Sequence, residues 1–300
     1  MQTVIVFGGS SFVGRNLCKF LLDKEYQVLS ISHRKTDEIK HYGYSEVAFN
    51  LENEDQVNCI IEAIDTCDVC IFLTWMGTRD RNNLELNIAS AKLLFVLFKK
   101  MVAKFPKARF VEIGSAAEYG QHSGQVVTEE IECTPTSPYG VGKYDFYQMA
   151  CEYSERRDID FVELRLHSVI GVDDYGTKLV NSVVKKLISG EHVVMKSDCS
   201  QQWNFISVNC VCHIIYEMLK KPKLSYTVYN VGCNMQSTLR QYLKIIAEMC
   251  GKDEAALVFS EQKDMLAYDF VFDSSRMQNE LGWWPEDDFR HVIKEMIKVY

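Results

Sequence analysis

Through the first half of the chain, short apolar runs alternate with segments whose apolar residues recur every three or four positions. Residues 4–7, 28–32, 69–73 and 110–113 are such runs, and their length and composition predict strands. Between them Val13, Leu17, Phe20 and Leu21 keep helical spacing, as do Leu84, Ile88, Ala91, Phe95 and Phe98. Strand and helix in alternation predict an α/β fold, doubly wound around a parallel sheet. A further stripe of Phe146, Met149, Ala150 and Tyr153 reads as core or subunit interface. After residue 166 the pattern loosens. Helical segments at 178–189 and 239–250 become prominent, and a last amphipathic helix carries Phe289, Val292, Ile293, Met296 and Ile297 beyond Pro285. The expected organisation is an α/β domain over residues 1–166 and a smaller, interleaved lobe over 167–300, with some segments of the second part returning to the first domain.

The chain enters this frame through Gly8-Gly9-Ser10-Ser11-Phe12-Val13-Gly14, directly after the first strand. A turn from strand to helix exposes backbone N–H groups at the positive end of the helix dipole, where a pyrophosphate can sit. Gly8 suits the tight turn and Gly14 the close packing of the helix, while Ser11 stands where the usual middle glycine would be. Gly8, Ser10, Ser11, Phe12, Val13 and Gly14 are therefore candidate cofactor contacts. At the end of the second strand Ser32 is followed by His33, Arg34 and Lys35, and no carboxylate stands there to accept ribose hydroxyls. A small hydroxyl with bases beside it favours a 2′-phosphate, so NADP(H) is expected, through Ser32 and Arg34. Were the basic loop merely solvated, NAD(H) would remain open. Asn50 and Leu51, after the third strand, are candidates for the adenine pocket.

Tyr139 and Lys143 stand four residues apart behind Ser137 and Pro138. Serine as N-cap with proline at the first helical position starts a helix there, and residues four apart share one helical face. An ammonium beside a phenol stabilises the phenolate, so a tyrosine whose free pKa is about 10 can exchange a proton nearer neutrality. Beside a nucleotide-binding turn, that pair implies hydride chemistry.

Composition narrows the field. With 47% hydrophobic and 25% charged residues and five prolines among 300 residues, the chain is that of an ordinary globular protein. Its net charge of -8, from 41 acidic against 33 basic residues, argues against a nucleic-acid partner. No run approaches the roughly 18 to 20 apolar residues of a membrane span, and the first residues show no secretory signal. Eleven cysteines without a regular framework fit free thiols in a reducing cytoplasm. Cys67 and Cys70 have the form of a redox or zinc half-site but enter an apolar strand without a second pair, and Cys210 and Cys212 flank Val211. All four read as structural thiols, and no metal is assigned.

Taken in order, several motifs resemble the extended short-chain dehydrogenase/reductase family of nucleotide-sugar epimerases, dehydratases and 4-keto-reductases. They are Gly8-x5-Gly14, Asn87, Ile113-Gly114-Ser115-Ala116-Ala117-Glu118-Tyr119-Gly120, Pro138-Tyr139-x3-Lys143, Arg165-Leu166-x2-Val169-x-Gly171, Phe205-Ile206-x-Val208, Tyr229-Asn230-Val231-Gly232 and Glu280-Leu281-Gly282-Trp283-x-Pro285. The resemblance covers nearly the whole chain. It implies a Rossmann domain with a smaller substrate lobe, a nucleotide-sugar substrate, and a homodimer through helices near 84–104 and 139–156. It also implies a catalytic set of Ser115, Tyr139 and Lys143. In that set Tyr139 is the general acid/base, Lys143 holds the nicotinamide ribose and tunes the phenol, and Ser115 bonds the reacting oxygen.

The departures from the family pattern carry the finer expectation. Dehydratases place an Asp-Glu pair after the hydroxyl residue, where this chain has Ala116 and Ala117. The 3,5-epimerase/reductases place a cysteine at 117. What remains is hydride transfer at a single carbon. The segment from Gly114 to Gly120 looks most similar to that of 4-keto-6-deoxy-sugar reductases. Among substrate contacts, Ser115, Ala116, Ser168 and Trp203 are candidates. Ser168 replaces a frequent asparagine, Trp203-Asn204 replaces a frequent arginine-aspartate, and Asn209 replaces an aspartate. Loss of that arginine removes a bidentate phosphate contact, which leaves open whether the ligand carries a diphosphate. Trp203 is read either as a stacking platform or as a packing residue. The expectation is an NADPH-dependent reductase of a nucleotide-activated 4-keto-6-deoxyhexose. An NAD-dependent 4-epimerase is the alternative, with a non-catalytic NADP(H)-binding scaffold or redox sensor behind it.

Overall fold

The computed structural model describes residues 2–122, 124–172, 174, 179–233, 237–261, 269–282, 284 and 289–300. Lys178, Trp283 and Pro285, used above, lie outside them. The chain divides into two compact units, Met1–Gly120, Ile131–Leu166 and Ile215–Tyr229 in the first and Gln121–Glu130, His167–Ile214 and Asn230–Tyr300 in the second.

Its elements begin β1 (Thr3–Phe7), α1 (Phe12–Asp23), β2 (Gln27–Ser32), β3 (Tyr44–Ala48), α2 (Glu54–Ala63), β4 (Val69–Phe72), α3 (Leu84–Lys104), β5 (Arg109–Ser115), β6 (Val126–Val127), α4 (Pro138–Glu155) and β7 (Phe161–Leu166). They continue β8 (Ser168–Ile170), α5 (Leu179–Ile188), β9 (Val193–Val194), β10 (Gln202–Trp203), β11 (Phe205–Ser207), α6 (Val208–Leu219) and β12 (Val228–Val231). The last are β13 (Ser237–Thr238), α7 (Leu239–Met249), β14 (Leu257–Val258), β15 (Val271–Phe272), α8 (Ser275–Leu281) and α9 (Phe289–Val299).

The main sheet has the order β12-β7-β5-β4-β1-β2-β3, and the ladders from β7 to β3 are parallel, as the alternating pattern predicts. The chain winds from β1 out to β3 and then returns to β4, β5 and β7 on the other side. That reversal leaves a crevice at the carboxyl ends of β1 and β4, where sheets of this kind bind ligands. Val4, Ile5, Val6 and Phe7 of β1 are buried, which explains the run without polar alternation: a parallel strand is covered on both faces. One cover is aromatic. Phe98 of α3 meets Phe110, Phe146 and Phe161 edge-on, at centroid distances of 5.4, 6.3 and 5.6 Å.

The second unit is built on helices α5, α7 and α9, whose Val184, Leu187, Tyr242, Ile246, Ile293 and Met296 share one core. Short two-stranded sheets pair β8 with β11, β9 with β14, β10 with β13 and β6 with β15. Strands of two or three residues are too short to impress a period on the sequence, so only the helices were foreseeable there. Cys70, Cys210 and Cys212 are buried, Cys67 is half-buried, and no disulfide joins cysteines among the described residues.

Candidate active site

The glycine turn lies at the crevice. Gly8 has φ of +95°, and a Cβ there would come within 2.7 Å of the Leu73 carbonyl carbon and Thr74 nitrogen that follow β4. A Cβ on Gly14 would stand 2.4 Å from Gly8 O, so Gly14 is needed for the turn to fold back on itself. Ser11 is the N-cap of α1, its Oγ accepting from Gly14 N at 3.2 Å. Ser10 N donates to Ser32 Oγ at 2.9 Å and Ser11 N to Gly8 O at 3.0 Å. These amides shape the turn, and Phe12 and Val13 follow as the first helical positions, at the positive end of the dipole. The Ser32 hydroxyl, accepting from Ser10, keeps its own proton to donate. Phe49 N bonds Ser32 O at 2.8 Å, which brings the ends of β2 and β3 together with half-buried Asn50 and buried Leu51. Arg34 is exposed and has no ion pair among the described residues.

Ser115 closes β5 and caps a 3-10 turn, Ala116–Glu118. Its Oγ accepts from Ala117 N at 3.2 Å, and Glu118 Oε1 accepts from Ser115 N at 2.6 Å. Helix α4 starts where the sequence placed it, with Ser137 Oγ accepting from Gly140 N at 3.1 Å. Its first turn is seated on the Ser115 turn, for a Cβ on Gly140 would lie 2.3 Å from Ala117 O. Two residues on, a Cβ on Gly142 would lie 2.7 Å from Asn87 O of α3. Tyr139 is thereby held next to the Ser115 turn, half-buried.

Lys143 is buried, donating to Glu112 Oε1 at 2.6 Å and to Ile113 O at 2.8 Å. Its Nζ also lies 4.5 Å from the centre of the Trp75 ring, which meets Tyr139 edge-on at 6.3 Å. Burial pushes the Glu112 carboxyl up to about 7 against the pull of Lys143. Burial also works against the Lys143 ammonium, yet Glu112 and Tyr139 lift it above its ordinary value. An aimed cation beside a phenol is an arrangement suited to passing a proton.

Of the substrate candidates, Ala116 is buried beside Ser115. Ser168 and Trp203 belong to the second unit, where Trp203 Nε1 donates to Ser168 Oγ at 3.1 Å. Trp203 also packs against the buried His167, at a centroid distance of 5.3 Å. His167 Nδ1 donates to Asn204 O at 2.6 Å, and burial pushes its imidazole down to about 4. Asn204, fully buried, brackets Cys233 through both its amide atoms, accepting from Cys233 N at 2.8 Å and donating to Cys233 O.

Some neighbours of the catalytic candidates were not singled out from the sequence. Trp75 follows a strand in a loop, where periodicity is silent, and its Nε1 donates to Asn87 Oδ1 at 2.9 Å. Arg81 holds its guanidinium 4.6 Å from the Tyr139 ring centre. Arg15, buried, donates to Ser10 O at 3.1 Å. Glu112 did leave a signal, a carboxylate inside the apolar run 110–113.

Residues 4–232 match the model of the NAD dependent epimerase/dehydratase family. The chain is 26% identical to the dTDP-6-deoxy-L-talose 4-dehydrogenase (NAD(P)(+)) of Kitasatospora kifunensis over 98% of this chain and 94% of that one. It is 22% identical to a putative UDP-glucose 4-epimerase of Methanocaldococcus jannaschii over 98% and 97% of the two chains. In fold it matches the crystal structure of dTDP-glucose 4,6-dehydratase from Bacillus anthracis in complex with NAD, with a TM-score of 0.86 at 21% identity over 100% and 96% of the chains. Three reactions are named at similar distances, so overall likeness selects the family and not the reaction. With the glycine turn, the parallel sheet and residues 4–232 all in agreement, this chain is a member of the NAD dependent epimerase/dehydratase family.

Proposed function

We propose that the protein is an NADPH-dependent reductase of a nucleotide-activated 4-keto-6-deoxyhexose. The observation that carries this reading is the turn after Ser115. Ala116 and Ala117 offer no acid or base, and the one carboxylate of the turn, Glu118, is fully buried and bonded to Ser115 N and Arg165 Nε. Elimination of water has no proton acceptor in that turn, whereas reduction of a ketone asks only for one proton donor and one supporting hydroxyl.

The turn suits a dinucleotide: Cβ atoms at Gly8 and Gly14 would collide with the backbone of Leu73, Thr74 and Gly8 and forbid the tight bend after β1, and Ser32 with Arg34 supplies a donor and a free cation for a 2′-phosphate. When bound, NADPH supplies the hydride for the keto carbon. Tyr139 holds the proton for the developing alkoxide, Ser115 Oγ bonds the same oxygen, and Lys143 steadies the ribose and the phenol. The same three residues would serve a 4-epimerase, the reaction named for the M. jannaschii relative.

The test is to incubate purified protein with a panel of nucleotide 4-keto-6-deoxyhexoses and follow NADPH absorbance. Consumption in proportion to product is expected. Interconversion of two sugar nucleotides with no net change in cofactor would replace this reading with the epimerase.

A further inference from the structure

Two buried strands of the first unit carry the same residue types at paired positions. Phe110, Val111, Glu112 and Ile113 of β5 lie in parallel register with Phe161, Val162, Glu163 and Leu164 of β7. Glu112 and Glu163 are thus neighbours on one face of a sheet closed to water. Both are wholly buried, and so is Glu118. The bases that meet them are Lys143, 2.6 Å from Glu112, and Arg165, whose Nε donates to Glu118 Oε2 at 3.0 Å and lies 2.9 Å from Glu163 Oε2. The remaining titratable groups of this pocket are Tyr139, Tyr144 and Tyr147 of α4, Tyr119 and Cys133.

Among the described residues, three acids therefore face two bases. A buried, uncompensated charge costs several kcal/mol, so the cluster retains one proton. Glu163 is its holder: among the described residues no donor bonds either of its oxygens, and burial, reinforced by Glu118, holds its carboxyl well above the ordinary range. Gly114 makes room for this, since a Cβ there would stand 2.7 Å from Glu163 Oε1 and 2.8 Å from Glu118 Oε1. With Glu163 neutral and Glu118 engaged by Arg165, Glu112 is left as the counter-ion of Lys143. An ammonium has three N–H groups. Glu112 and Ile113 O take two of them, and that fixes the direction of the third.

We propose that Glu112 is a positioning residue of the reaction, its buried carboxylate keeping Lys143 charged and its third N–H aimed at the ribose and the Tyr139 phenol. This rests on the reading of Tyr139 and Lys143 given above. Removing the carboxylate takes away the largest influence that opposes burial and leaves only Tyr139 and Glu118 against it, and burial favours the neutral amine.

The decisive measurement is lysine 13Cε NMR of the full-length protein, with the Lys143 resonance assigned by its loss in Lys143→Met. In Glu112→Gln the Lys143 signal should titrate roughly 2 pH units or more below the unsubstituted protein. NADPH affinity by fluorescence titration should fall about tenfold once that proton is lost, the difference between a charged and a neutral hydrogen bond. Glu112→Asp should restore most of both. A Lys143 titration unchanged in Glu112→Gln overturns the proposal. Should Glu112→Gln fail to fold, Glu112→Gln with Lys143→Met removes both charges together, and its NADPH affinity should equal that of Lys143→Met alone. A further, additive loss overturns the proposal. If Lys143→Met itself leaves NADPH binding and turnover intact, the catalytic reading of Lys143 fails, while the NMR titration still decides the role of Glu112.

Discussion

Gly140→Ala moves Tyr139 by adding one methyl group next to it, with no change to the chemistry of the site. The added Cβ would start 2.3 Å from the Ala117 carbonyl oxygen, with that carbonyl carbon at 2.9 Å. Both are backbone atoms of the turn capped by Ser115, so no flexible side chain can yield. Restoring ordinary contact requires α4 and that turn to part by roughly 1 Å. Gly140 is not among the positive-φ residues, so alanine suits its backbone and brings about 1 kcal/mol of helix propensity. Overpacking costs about 1 to 3 kcal/mol, and the net change in stability is therefore a loss of about 2 kcal/mol at most. Catalysis is less forgiving, because a displacement of about 1 Å between reacting groups costs about a hundredfold in rate. The assay is NADPH oxidation with a 4-keto sugar nucleotide found in the panel, alongside thermal unfolding and NADPH titration. Turnover should fall about a hundredfold while NADPH affinity, assigned in the proposal to the turn after β1, changes less than about threefold. If the variant turns over normally, contact between α4 and the Ser115 turn does not set the position of Tyr139, and the site is not assembled through that contact.

Tyr139→Phe keeps the ring against Trp75 and deletes the proposed proton donor, so turnover should drop by about two to four orders of magnitude with NADPH binding retained; near-normal reduction would mean that the proton comes from elsewhere. Arg34→Ala should weaken NADPH binding about ten- to a hundredfold and leave NADH binding unaltered, and equal affinities for the two cofactors in the unsubstituted protein would reject the assignment. His167 is held neutral with its imidazole pushed down to about 4, so its contribution is fully present above the unfolded value near 6.5 and is lost as pH falls through 4, about 3 kcal/mol in all. Urea unfolding of His167→Gln and of the unsubstituted protein between pH 7 and 4 should therefore diverge in slope, and parallel curves would contradict the neutral imidazole.

Strands β1, β2, β4 and β5 were legible because their runs are mainly apolar and the helices between them periodic, whereas β7, with Glu163 and Arg165 inside it, and β12, with Asn230, were not among the predicted strands. The start of α4 was legible because Ser137 and Pro138 act through local backbone chemistry. The small strands of the second unit were not, since two residues carry no period. Trp203 and Asn204 show the limit at single positions. Their residue types allowed stacking or packing, and the hydrogen bonds of Trp203 to Ser168 and of Asn204 to Cys233 depend on partners 35 and 29 residues away.

Local sequence thus determined where elements begin, which faces are apolar, and that Tyr139 and Lys143 share one side of a helix, because each depends on residues within one or two turns. Only tertiary structure decided that β5 and β7 align their glutamates, that Gly140 seats α4 on the Ser115 turn, and that Glu112 is the counter-ion of Lys143. These are contacts between segments about 20 to 50 residues apart, and strand order and register, which no local propensity encodes, bring them together.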